Sequence, residues 1–183
     1  MDKSNQELNK KNIILIGFMA AGKSSVGRIL ARQLGWSFVD TDKEIEQVTG
    51  LRIAELFRKH GELRFRSEEN LVVKKLVGRT QTVVATGGGT VLAEENWQIL
   101  HELGTLIHLY VPLHVALSRV KRRQDRPLLL KKDIEIEQLW HERLKIYNQA
   151  DIIIDTTDKD LATIAAEILT IWKGGQLTNA PDN

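Results

Sequence analysis

Short apolar runs rich in Ile and Val alternate along this chain with stretches whose apolar residues recur every three or four positions. The runs predict strands at 12–16, 36–39, 82–85, 105–111 and 151–154. The helical spacing predicts helices at 23–34, 42–49, 53–60, 62–77, 94–103, 113–122, 134–148 and 161–172. Strands separated by helices imply βαβ units, and strands apolar on both faces suit a parallel sheet covered on both sides. The expected class is therefore an α/β three-layer sandwich. No repeat or linker interrupts the pattern. Residues 1–11 form a polar extension, 12–173 a single domain, and 174–183, opening on Gly174-Gly175, a flexible tail.

Ligands on such a sheet bind at the carboxyl ends of the strands, so the residues after each strand carry the information. After the first comes Gly17-Phe18-Met19-Ala20-Ala21-Gly22-Lys23-Ser24, followed by Ser25 and a helix. Two glycines four residues apart, then lysine and a hydroxyl residue, match the phosphate-loop pattern. A chance match in a chain this size has odds of roughly one in two hundred, and the strand-loop-helix context lowers them further. Its successive N–H groups would cradle phosphate oxygens, Lys23 would reach the β- and γ-phosphates, and Ser24 would ligate magnesium. The chain is expected to bind a nucleoside triphosphate.

After the second strand, Asp40-Thr41-Asp42 places two carboxylates two residues apart at a strand-to-helix junction. Capping explains one of them well and both less well. One could hold magnesium and the other accept a proton from a substrate hydroxyl. After the third strand, Gly87-Gly88-Gly89 costs more backbone entropy than a tight turn requires, and permits close approach of a ligand. Arg66 shares a helix face with Glu62 and Glu69, and Arg143 lies four residues before Tyr147. By spacing alone both are solvated surface pairs. The basic run from Arg119 to Arg126, ended by Pro127, is either a solvated loop or a lid that brings an arginine to the γ-phosphate. Asp155, after the last strand, and the 148–151 stretch imitate magnesium and guanine motifs, but are expected to serve a turn and nothing, respectively.

Composition narrows the partners. A net charge of +2 argues against nucleic acid or an anionic membrane. The absence of cysteine removes disulfides, zinc-thiolate sites and thiol nucleophiles. Five scattered histidines show no metal-ligand spacing and are expected at the surface or satisfied in the interior. No apolar run is long enough to span a bilayer, and the first eleven residues lack a signal-peptide core. A cytoplasmic monomer acting on a small molecule is expected.

Taken in order, the phosphate loop, Asp40-x-Asp42, Gly61-Glu62 with Phe65-Arg66, Gly87-Gly88-Gly89, Arg126-Pro127-Leu128-Leu129 and Arg143 with Tyr147 resemble the shikimate kinase family. The resemblance implies a five-stranded parallel sheet in the order 2-3-1-4-5 and transfer of the γ-phosphate of ATP to the 3-hydroxyl of shikimate. It implies that Asp42 binds shikimate hydroxyls and accepts the proton, and that Arg66 and Arg143 clamp the carboxylate. Gly87, Gly88 and Gly89 would approach the ring. Ala20, Ala21, Gly22, Lys23, Ser24 and Ser25 would hold the ATP phosphates, with Arg126 added from a lid at about 119–131 and Arg119 against adenine. Ser24, with Asp40 through water, would hold Mg2+. Ala20 stands where the family usually has a third loop glycine, so this residue must avoid a left-handed conformation or accept strain. The competing readings are another small-molecule kinase, such as a gluconate kinase, and a non-catalytic nucleotide-binding relative.

Overall fold

A computed structural model of the chain describes residues 12–120 and 133–177. The expected extension at 1–11, Arg126 and nearly all of the expected lid lie outside the described residues.

Five parallel strands form the sheet: β1 (Ile13–Ile16), β2 (Ser37–Asp40), β3 (Thr82–Ala85), β4 (Thr105–Tyr110) and β5 (Ile152–Asp155). Their order is β2-β3-β1-β4-β5, as the resemblance implied. The helices between them are α1 (Lys23–Leu34), α2 (Thr41–Thr49), α3 (Ile53–Lys75), α4 (Glu94–Leu103), α5 (Leu113–Arg119), α6 (Asp133–Tyr147) and α7 (Leu161–Leu177). β1 and β3 are buried at every position, which is why their sequences are continuous apolar runs. Asn12 ties the start of the central strands together. Its amide donates to the carbonyls of Arg79 and Leu103, both at 2.8 Å, and its oxygen accepts from Thr82 N at 2.9 Å.

The chain leaves β1 for β2 on one side and later crosses to β4 on the other, so the end of β1 is the switch point where such sheets bind ligands. The main core surrounds this sheet. A second, smaller cluster of Ile45, Leu56, Phe65 and Val72 joins α2 to α3 and makes that corner a separate packing unit.

Most boundaries fall within a residue or two of expectation, and two helix ends differ by more. The helices expected at 53–60 and 62–77 are both present, running together as α3 about a bend at Gly61, whose φ of 78° and ψ of 177° are not helical. α5 ends at Arg119 because Val120 turns to extended backbone, short of the expected residue 122. α7 runs to Leu177, through the two glycines expected to begin the tail. Among the described residues, no helix is long and apolar enough to cross a membrane.

Candidate active site

The loop from Gly17 to Ser24 joins β1 to α1 at the switch point. Lys23 is half-buried and curls back over it, its Nζ donating to the carbonyls of Gly17 at 2.7 Å and Phe18 at 2.8 Å. Ala20 does not avoid the left-handed region: its φ is 57°. An alanine there costs about 1 kcal/mol or more, so the loop holds its shape against the preference of this residue.

Ser24 Oγ donates to Asp40 Oδ2 at 2.5 Å, while Asp40 Oδ1 accepts from Lys43 N at 3.4 Å and caps α2. One carboxylate thus does the capping, which leaves Asp42, in the first turn of α2, to point at the cleft. Ser24 and Asp40 offer adjacent hard oxygens, the donors magnesium takes. Among the described residues, no three His, Cys, Asp or Glu side chains converge on a metal position. A magnesium ion here would complete its shell from phosphate and water, as it does in other nucleotide sites.

The two arginines are where spacing alone would not put them. Arg66 pairs with Glu62 at 3.0 Å, as a surface ladder would, but also with Glu69, which is fully buried. Burial disfavours the Arg66 charge, yet Glu69 and Glu62 outweigh it and raise the guanidinium pKa. Glu69 in turn accepts from Thr90 Oγ1 at 2.8 Å, so Arg66 is fixed from behind. Arg143 and Tyr147 are no solvated pair: they are 3% and 0% exposed. Arg143 lies over the Phe18 ring of the phosphate loop, and its Nε has no hydrogen-bond partner among the described residues. Arg143 nevertheless lines the cleft, and a buried guanidinium there is a planar donor suited to a carboxylate. Tyr147 donates to the Gly88 carbonyl at 2.5 Å, and burial pushes its pKa up to about 12, so the hydroxyl keeps its proton.

The glycine triplet explains itself in space. A Cβ on Gly87 would stand 2.5 Å from Asp42 Oδ1, one on Gly88 3.1 Å from Arg143 Nη1, and one on Gly89 inside the Arg66 guanidinium. Three functional side chains from α2, α3 and α6 converge on this strip of main chain. Thr41 fixes it further, its Oγ1 accepting from Gly87 N at 2.8 Å.

One cleft of about 600 Å³ is lined by Ala20, Gly22, Lys23, Ser24 and Ser25 of the loop together with Asp42, Arg66, the glycine strip and Arg143. A second, more apolar cavity of about 520 Å³ begins on the opposite side of the loop, lined by Ala20, Ala21, Gly22, Arg119, Asp160 and their neighbours. Arg119 is anchored there by Thr156, donating to its Oγ1 at 3.2 Å and its carbonyl at 2.8 Å. Glu69, Thr41, Thr90 and the 159–162 segment leading into α7 were invisible to motif reasoning. Only the i, i+3 spacing of Arg66 and Glu69 gave a hint. Asp155 makes a turn, accepting from Thr157 N at 2.8 Å, as expected. His108, by contrast, is interior with its buried Nδ1 making no hydrogen bond among the described residues.

Comparison with known proteins places the chain in a family. A family model described as shikimate kinase matches residues 19–173. The shikimate kinase of Pelotomaculum thermopropionicum is 46% identical over 165 residues, spanning 89% of this chain and 96% of its own. A solved shikimate kinase from Acinetobacter baumannii, in complex with shikimate, superposes with a TM-score of 0.83 at 36% identity over 98% of this chain and 99% of its own. A gluconokinase from Sinorhizobium meliloti reaches a TM-score of 0.57 at 19% identity over 89% and 91% of the two chains, a likeness of fold alone. By sequence, fold and family match, this chain belongs to the shikimate kinase family.

Proposed function

We propose that the chain transfers the γ-phosphoryl group of ATP to the 3-hydroxyl of shikimate, giving shikimate 3-phosphate and ADP, in the 600 Å³ cleft. The observation that carries this reading is convergence: the phosphate loop, a carboxylate and two inward guanidinium groups share one cavity. Shikimate is a small anion bearing several hydroxyls. Arg66 and Arg143 bind its carboxylate, the main chain of Gly87 to Gly89 supports its ring, and Asp42 orients the reacting hydroxyl and takes its proton. Lys23 neutralises charge on the transferring group, a role the resemblance also assigns to Arg126, which lies outside the described residues. Ser24 and Asp40 would hold magnesium, which when bound would supply further charge neutralisation. The adenine lies in the second cavity against Arg119.

Phosphoryl transfer asks little covalent chemistry of a protein, so catalysis rests on in-line positioning and electrostatics. The buried Glu69 and Tyr147 serve the positioning. They hold Arg66 and the Gly88 backbone in place before substrate arrives. The enzyme would act as a monomer in the cytoplasm, where ATP is held. An assay of ADP release with ATP and magnesium, offering shikimate beside gluconate and other hydroxylated acids, tests the assignment. Turnover confined to shikimate is expected, whereas shikimate binding without turnover would favour a non-catalytic relative.

A further inference from the structure

The rim of the same cleft carries a cation that the roles above leave unused. Arg52 occupies the N-cap of α3 and lines the cavity, exposed to solvent. An N-cap favours Ser, Thr, Asp or Asn, because the first helical N–H groups need an acceptor. Arginine has only donors, and its side chain makes no capping bond. The helix start is served by others: Glu46 Oε1 accepts from Ile53 N at 3.2 Å, and Glu55 Oε2 from Arg52 N at 3.3 Å. So the helix gains nothing from this guanidinium.

An ion pair does not account for it either. The neighbouring acid, Glu46, makes its direct ion pair with Lys43 at 2.6 Å, and the Arg52 charge reaches it only through space, as a minor contribution. Among the described residues the Arg52 guanidinium makes no hydrogen bond or ion pair. The other cations of the cleft are committed. Lys23 is bonded to the loop carbonyls, Lys43 to Glu46, and Arg66 to Glu62 and Glu69, while Arg143 is buried.

Resting on the function proposed above, we infer that Arg52 is a capture residue for the anionic acceptor, drawing the shikimate carboxylate into the cleft toward Arg66 and Arg143. A charge at the rim acts on encounter and on salt dependence more than on the chemical step. Its loss therefore shows in the Michaelis constant and leaves turnover unchanged.

The test is Arg52→Ser, chosen because serine is the better cap and keeps the helix start intact. At low ionic strength the shikimate KM is expected to rise about three- to ten-fold, with kcat, the ATP KM and Tm held or Tm raised. In about 0.5 M salt the gap between variant and wild type should close, since the screening length shrinks to a few ångströms. Arg52→Lys should recover most of the low-salt kcat/KM. A low-salt KM equal to that of wild type, or a loss that persists undiminished in high salt, overturns the inference. Both results presuppose a wild type active on shikimate. If that protein fails to turn shikimate over, the functional reading itself falls.

Discussion

Ala20 holds a left-handed backbone that glycine would adopt without penalty, in the middle of the loop that must present its N–H groups to phosphate. The strain of about 1–2 kcal/mol is partly offset because alanine also restricts the unfolded chain. Ala20→Gly should therefore raise stability by about 0.5–1 kcal/mol, read as a later urea midpoint at unchanged slope. An earlier midpoint would mean that the methyl group makes contacts worth more than the strain. Asp42 is the neighbouring case in which chemistry outweighs folding. Asp40 already caps α2, so replacing the second carboxylate costs the helix little. Asp42→Asn should lower kcat by about 100-fold or more while ATP still protects the protein against heat. Wild-type turnover in that variant would remove the proton-acceptor role.

The elements were legible in the sequence to the extent that they repeat one physical rule. The apolar runs of β1 and β3 could only be buried strands, and the phosphate loop announces its own flanking strand and helix. The split of the long helix at Gly61 was visible as well, because glycine broke the periodicity where the backbone now bends. What could not be read was which face of a helix turns inward. Arg66 with Glu62 and Arg143 with Tyr147 have the spacing of surface pairs, yet the packing around the glycine strip buries Arg143 and Tyr147 and sets Arg66 against the buried Glu69. The strip read as main chain open to a ligand, and it is also the surface on which three elements meet. Gly89→Ala tests that geometry, since the new methyl would occupy the place of the Arg66 guanidinium. The shikimate KM should rise about ten-fold or more, corresponding to over 1.4 kcal/mol of lost binding, with the ATP KM unmoved. An equal rise in both constants would indicate general damage to the cleft instead.

At the scale of the molecule, the site and the core meet behind the phosphate loop, and His108 stands at that junction. It sits on central strand β4, packs 5.2 Å from the Tyr147 ring and is 1% exposed. Burial, and then the Lys23 charge, pull its pKa down to about 4, although a hydrogen bond with Asn148 works the other way. In the unfolded chain the same group titrates near 6.5. Between these values the unfolded state binds the extra proton, so folding stability must fall as pH falls from about 6.5 toward 4. Integrated from pH 7.5 to pH 5, the loss is about 2 kcal/mol, enough to lower Tm by several degrees in a domain of this size. His108→Leu removes the titration while keeping an apolar side chain of similar bulk. Thermal melts at the two pH values should show a smaller gap in the variant than in wild type, even if the variant is less stable at both. Equal gaps would mean that the imidazole accepts its proton in the folded state, and that the back of the phosphate loop is wetter than its burial implies.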